Sequence, residues 1–187
     1  MTSDEALVER TKAGDLDAFE ALVKRYRAVV FRVASRIVGR DEADDVSQDA
    51  FLRAFHRLEQ FRRDSPFRSW LLRIAHNAAL DALERRRPAE GDPPEDTPEA
   101  VPARTRTPAD ELEVSERRDR LALKLRQVSP AHRTVLVLRD LEGLSYEEIA
   151  EVTDSPLGSV KGRLFRARRE LMDILRRNTY DWELPST

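Results

Sequence analysis

Six of the ten prolines in this chain fall between Pro88 and Pro108. The segment PAEGDPPEDTPEAVPARTRTPAD is almost free of apolar residues, so ordering it would cost more conformational entropy than burial could offset. It reads as a flexible linker over 88–110 that divides the 187 residues into two parts with separate cores. The expected plan is a domain over 1–87, the linker, a domain over 111–178, and a tail over 179–187.

Both parts read as all-α. In the first, Phe19, Leu22, Val23, Tyr26, Val30, Val33, Ala34 and Ile37 form one helical stripe that ends at Gly39. Asp41 is expected to cap a second helix with Val46, Phe51, Ala54, Phe55 and Leu58 inward. A polar loop over 59–64 follows, and Ser65-Pro66 opens a third helix carrying Phe67, Leu71, Ile74, Ala75 and Ala78 on its core face. In the second part, a helix with Val114, Leu121, Leu125 and Val128 leads to Ser129-Pro130, which opens a helix ending at Gly143. No alternating strand pattern appears.

Gly143 to Leu171 is the stretch richest in function. Ser145 and Glu148 make a capping box, with Leu144 and Ile149 placed as a hydrophobic staple. Asp154 and Ser155 interrupt that short helix, and Ser155-Pro156 is expected to start the next as N-cap and first residue. The second helix has Leu157, Val160, Leu164, Ala167, Leu171 and Ile174 on one face and Ser159, Lys161, Arg163, Arg166 and Arg169 on the others. From Leu157 to Arg177 its net charge is +5, within a chain of net charge -2. A capped helix, a tight turn and a basic second helix with small residues near its start form a major-groove reader, in which arginine and lysine reach phosphates and base edges.

Charge is segregated along the chain. Residues 61–87 hold seven arginines and three acids, whereas 88–110 hold six acids and two arginines. In the third helix, Arg68, Arg73, His76 and Asn77 lie away from the core face with Trp70 on the flank; the residues alone fit an ordinary surface helix with one buried tryptophan better than a set that holds phosphate and an unstacked base. Asp41, Glu42, Asp44, Asp45 and Asp49 crowd the second helix. They lack the glycine and glutamate spacing of a calcium loop, so a basic protein partner is the better reading. No cysteine is present, which removes disulfides, thiol catalysis and cysteine-zinc sites. No catalytic triad, phosphate loop or metal motif is found, so neither enzymatic activity nor a cofactor or metal is expected. No apolar run is long enough to span a membrane, and the N-terminus lacks signal-peptide character, so a cytoplasmic protein is expected.

The segment DEADDVSQDAFLRAFHRLEQFRRDSPFRSWLLRIAHNAALDALERRR resembles region 2 of extracytoplasmic-function (ECF) sigma factors. The segment GLSYEEIAEVTDSPLGSVKGRLFRARREL resembles their region 4.2, and on its own it also resembles the helix-turn-helix of LuxR-type regulators. The resemblance covers about residues 5–87 and 112–176. It implies an alternative sigma factor that binds core RNA polymerase and directs promoter recognition. By the same resemblance, Asp45, Gln48, Asp49, Leu52 and Arg53 would dock on the β′ clamp helices. Phe61, Arg62, Arg63, Phe67, Trp70, Arg73 and Asn77 would melt and read the minus-ten element, with Asn77 at a base-contacting position. Ser159, Lys161, Gly162, Arg163, Phe165 and Arg166 would read the minus-thirty-five element. Gly162 departs from the serine common there and removes a hydroxyl contact. The family further implies contact with the polymerase β subunit and an anti-sigma factor that would hold the protein inactive. The rival is a LuxR-type DNA-binding regulator acting without core polymerase.

Overall fold

The computed structural model describes residues 2–86, 120–121 and 123–177. The expected linker, the tail and Val114 lie outside the described residues. All regular structure among the described residues is helical, in two domains.

The N-terminal domain begins with α1 (Asp4–Lys12), an element the hydrophobic stripes do not announce. Ser3 caps it by accepting from the Ala6 amide at 3.2 Å. Asp4 fastens it to α2 (Leu16–Val38) by pairing with Arg25 and accepting from the Tyr26 hydroxyl. Burial and the Asp4 carboxylate together push the Tyr26 phenol well above its ordinary value. Asp15 caps α2 through the Ala18 amide at 3.2 Å. Leu22, Val30, Val33, Ala34 and Ile37 bury the expected stripe.

Helix α2 ends at Gly39, whose φ of +94° strains any residue with a Cβ. Helix α3 (Arg40–Arg57) starts at once, with Gly39 as the shared cap residue. Asp41 therefore stands in the first turn of α3 and not at its cap. Ala43, Val46, Ser47, Ala50 and Ala54 are small enough to bring α3 close to α2 and α4. Phe55 is not inward as expected: it is partly exposed and stacks edge-on against Phe19, 4.9 Å between ring centres. A 3-10 turn (Leu58–Gln60) and a loop lead to α4 (Phe67–Arg86). The Pro66 carbonyl accepts from the Ser69 and Trp70 amides, so Pro66 precedes the helix rather than opening it.

In the C-terminal domain, a helical stretch at 123–127 buries Leu125 and Val128. Pro130 then opens α5 (Pro130–Leu136) after the cap residue Ser129, as expected. The helix runs on as a π-type turn, Val137–Leu141. Gly143, at φ +72°, reverses the chain so that the Leu144 amide reaches the Leu138 carbonyl at 2.9 Å. Helix α6 (Tyr146–Val152) carries the full capping box, with Ser145 and Glu148 bonded reciprocally at 3.1 and 2.7 Å. Leu144 and Ile149 are fully buried. Helix α7 (Leu157–Arg176) starts one residue later than expected. Pro156, with ψ 142°, is its cap residue and accepts from the Val160 amide at 3.1 Å.

The two domains touch. Helix α4 packs on α6, and α2 packs on α5 and the π turn.

Candidate nucleic-acid interface

Helix α7 has one buried side. Val160, Leu164 and Ala167 face α5 and α6, and the turn at Asp154 (φ +50°) sets its angle to α6. Toward its far end, Glu170 accepts from the Ser129 amide at 2.8 Å and the Ser129 hydroxyl at 3.1 Å, and pairs with His132. Burial opposes the charge on Glu170, but these bonds hold its carboxyl below the ordinary value. Arg168 grips Asp140 through two bonds, at 2.6 and 3.3 Å. Helix α7 is thus buried on one side from Val160 to Ala167 and clamped at Arg168 and Glu170, while the opposite side of its first half is open to solvent.

That first half carries the candidate reading residues. Ser159, Lys161, Phe165 and Arg166 are exposed, Phe165 at 64%. Lys161 sits over the Tyr146 ring, 5.9 Å from its centre. Gly162 leaves room for the Arg166 guanidinium: a Cβ there would lie 3.4 Å from Nη1. Arg163 departs from the exposed set. It turns back to donate to the Ser155 hydroxyl at 3.2 Å and lies close enough to His76 to disfavour a charge on that ring.

Helix α4 is buried on two sides. Phe67, Leu71, Ile74, Ala75 and Ala78 face the N-terminal core as expected. Half a turn away, Ser69 and His76 are buried as well, although the sequence pattern assigns His76 to an exposed face. His76 is only 7% exposed, and burial together with Arg163 lowers its pKa to about 4, so the ring is neutral. Arg73 pairs with Asp154 across the domain boundary at 3.2 Å.

Phe61 and Phe67 are core residues, at 5% and 4% exposure. With half-buried Trp70 they form an aromatic cluster with ring centres 5.2–5.7 Å apart. Their buried rings shape the floor beneath the 61–66 loop rather than presenting a face outward. Arg62 and Arg63 follow Phe61 in the loop and are exposed, and Asn77 is exposed two turns beyond Trp70 on α4. Arg63 has φ +61° and pairs with Glu9 at 2.8 Å.

On α3, Asp45, Gln48 and Leu52 lie along one outward face, Leu52 at 61% exposure. Partly exposed Phe55 extends that face by one turn. Asp49 and Arg53 pair with each other at 2.8 Å, and Arg53 also holds Asp81 of α4 at 2.5 Å. Both acids raise the Arg53 pKa, Asp81 most of all.

The Sigma-70 region 2 family matches residues 22–88, and the Sigma-70 region 4 family matches residues 118–171. The ECF RNA polymerase sigma-E factor of Haemophilus influenzae is 40% identical over 173 residues, covering 89% of this chain and 92% of the relative. The chain belongs to the ECF group of the sigma-70 family. The sigma-E factor of Escherichia coli K12 is 38% identical over 90% of this chain and 92% of the relative. Among solved structures, CnrH in complex with the cytosolic domain of CnrY is 31% identical with a TM-score of 0.70, covering 94% of this chain and 99% of that one. The sigma factor RpoE of Bartonella quintana, bound to the anti-sigma factor NepR, shares the fold at 21% identity, with a TM-score of 0.67 over 86% of this chain and 98% of that one.

This protein is therefore an alternative sigma factor acting in transcription. No helix among the described residues is long and apolar enough to cross a membrane. Sequence reading of the sigma factor missed the residues that join its two domains: Arg32, Arg133 and Glu142. No local signal could have found them, because Arg32 and Glu142 stand 110 positions apart.

Proposed function

We propose that the sigma factor divides promoter work between two surfaces. The first half of α7 enters the major groove of the minus-thirty-five element. Ser159 and Lys161 contact phosphate, Arg166 and Phe165 reach base edges, and Arg163 joins them once released from Ser155. On the other surface, the loop over 61–66 and the exposed edge of α4 take the opened minus-ten strand. Arg62, Arg63 and Arg73 neutralise its phosphates, Asn77 hydrogen-bonds a captured base, and the Trp70 edge stacks beside it on the Phe61–Phe67 floor. Unstacking a base costs a few kcal/mol, which these contacts and polymerase binding offset together. The observation that supports this reading is that α7 buries Val160, Leu164 and Ala167 on one side and holds Lys161, Phe165 and Arg166 open to solvent on the other.

The outward face of α3, from Asp45 through Gln48 and Leu52 to Phe55, docks on the β′ clamp helices. Apolar Leu52 and Phe55 give contact area and Asp45 gives charge, while Asp49 and Arg53 brace α3 against α4. The functional domains are 1–87 and 111–178, joined by 88–110, with contact to the β subunit from the second. An anti-sigma factor regulates the protein, as NepR is bound to its structural neighbour. The work is done in the cytoplasm, where core polymerase is. The test is reconstitution with purified core polymerase on genomic promoter fragments. Run-off transcripts and co-elution with core are expected, and absence of both would overturn the proposal.

A further inference from the structure

Helix α7 carries a second stripe that the core does not use. Phe165, Arg169, Met172 and Arg176 stand at i, i+4, i+7 and i+11, so they line one face. That face points away from Val160, Leu164 and Ala167, which hold the helix to its domain. A face built only for water would be polar throughout, yet this one holds Phe165 at 64% and Met172 at 38% exposure. One exposed apolar residue needs no explanation; two in one groove do. The groove has a volume of about 440 Å³ and is rimmed by Arg168, Arg169, Asp173 and Arg176. Its size is that of a small-ligand pocket, but it lies open along the helix, so it suits side chains carried on a peptide. The rim charges are unevenly engaged. Arg168 is held by Asp140, and Arg176 lies 4.0 Å from Asp173. Arg166, Arg169 and Arg177 have no ion pair among the described residues. The groove therefore fits an occupant that is both aromatic and acidic.

The chain itself supplies one. Residues 178–187, outside the described residues, read NTYDWELPST, with two acids and no Lys or Arg. Tyr180, Trp182 and Leu184 alternate with Asp181 and Glu183, the period that puts the two sets on opposite sides of an extended chain. The reach also matches. Phe165 precedes Arg177 by twelve residues, or ~18 Å along the helix. Allowing Asn178 and Thr179 for a reversal, the steps from Thr179 to Leu184 cover ~17 Å, which brings Trp182 between Met172 and Phe165. Methionine sulfur and arginine guanidinium both favour contact with an indole ring. Because the tail is tethered at the end of α7, its effective concentration is on the order of millimolar, and contacts too weak for a free peptide are enough.

We infer that the outer face of α7 is a docking surface for the chain's own tail, with Trp182 between Phe165 and Met172 and with Asp181 and Glu183 toward the unpaired arginines. Phe165 is also assigned to base edges above, so on that reading the tail and DNA compete for it. The chain has two tryptophans, so full-length Trp70→Phe leaves Trp182 as the only one. Acrylamide quenching of Trp182 should be several-fold weaker than in a synthetic peptide of residues 177–187, and its emission should lie to the blue. Phe165→Ala and Met172→Ala should each raise the quenching toward the peptide value. Both side chains face solvent, so these truncations leave the fold intact. Quenching equal to that of the peptide, or unmoved by both truncations, would overturn the docking. Protection that grows with protein concentration would give the groove to a second copy and overturn it as well. No DNA is present in these measurements, so they hold or fail apart from the promoter reading. A chain ending at Arg177 should in turn bind the minus-thirty-five duplex several-fold more tightly than the full chain; equal affinity would remove the tail from Phe165.

Discussion

Helices α4 and α7 are both twenty residues long, both rich in arginine, and both assigned to DNA, yet they are built differently. Helix α7 buries one stripe and offers the rest to solvent. Helix α4 buries two opposite sides, one against its own domain and one against the other. A one-sided helix can bind DNA as it stands. A two-sided one must first give up a protein contact, so the minus-ten surface proposed on α4 is conditional in a way that the minus-thirty-five surface proposed on α7 is not.

The largest expected effect breaks the ready side. Leu164→Ala removes a buried anchor of α7 and should cost about 2–5 kcal/mol of stability. Urea unfolding read by circular dichroism checks this, and transcription should be lost with it. A cost below about 1 kcal/mol would mean that α7 is not held by its stripe.

The conditional side should respond to acid. His76 has a pKa of about 4 in the folded protein against an ordinary 6.5, so the folded state binds fewer protons between those values. Stability therefore falls as pH drops from 6.5 toward 4, on the order of 2–3 kcal/mol from this group. Arg163 is the charge that faces the ring from the other domain, and it works in the same direction. Comparing urea midpoints at pH 7 and 4.5 should show a smaller acid loss in His76→Gln than in the parent; an equal loss would remove His76 from the account.

Arg166→Ala should weaken discrimination at the upstream element by about 1–3 kcal/mol. Competition binding of holoenzyme to promoter variants measures it, and equal weakening on every sequence would make Arg166 a phosphate contact alone. The smallest effect belongs to Gly162→Ala. Its Cβ meets only the Arg166 side chain, at an ordinary contact distance, so the helix should gain up to about 1 kcal/mol, visible as a modest rise in Tm.

How legible each helix was in the sequence follows the same contrast. The capping box of α6, the centre of the α7 stripe at Val160, Leu164 and Ala167, and the projection of Lys161 and Arg166 are local patterns that stand in the structure as the spacing implies; Leu157, expected on that stripe, is exposed, because it lies in the first turn ahead of the packed part of the helix. The core stripe of α4 was equally legible. Its second buried side was not, because His76 and Ser69 are polar and their cover comes from α6, some seventy positions later. Asp41 misplaced the start of α3 by two residues, because Gly39 is the cap residue, and Ser155-Pro156 and Ser65-Pro66 each misplaced a start by one, because Pro156 and Pro66 supply the cap carbonyls instead. Phe61 and Phe67 were assigned to DNA on family position. Their burial makes them supports for that surface.

The division of labour is tested most directly by run-off transcription on two templates, one fully duplex and one with the minus-ten element pre-opened by mismatches. If α4 opens and α7 anchors, Trp70→Ala should lose transcription on the duplex and recover several-fold on the opened template, while Arg166→Ala should be equally impaired on both. Equal loss by Trp70→Ala on the two templates would contradict the account.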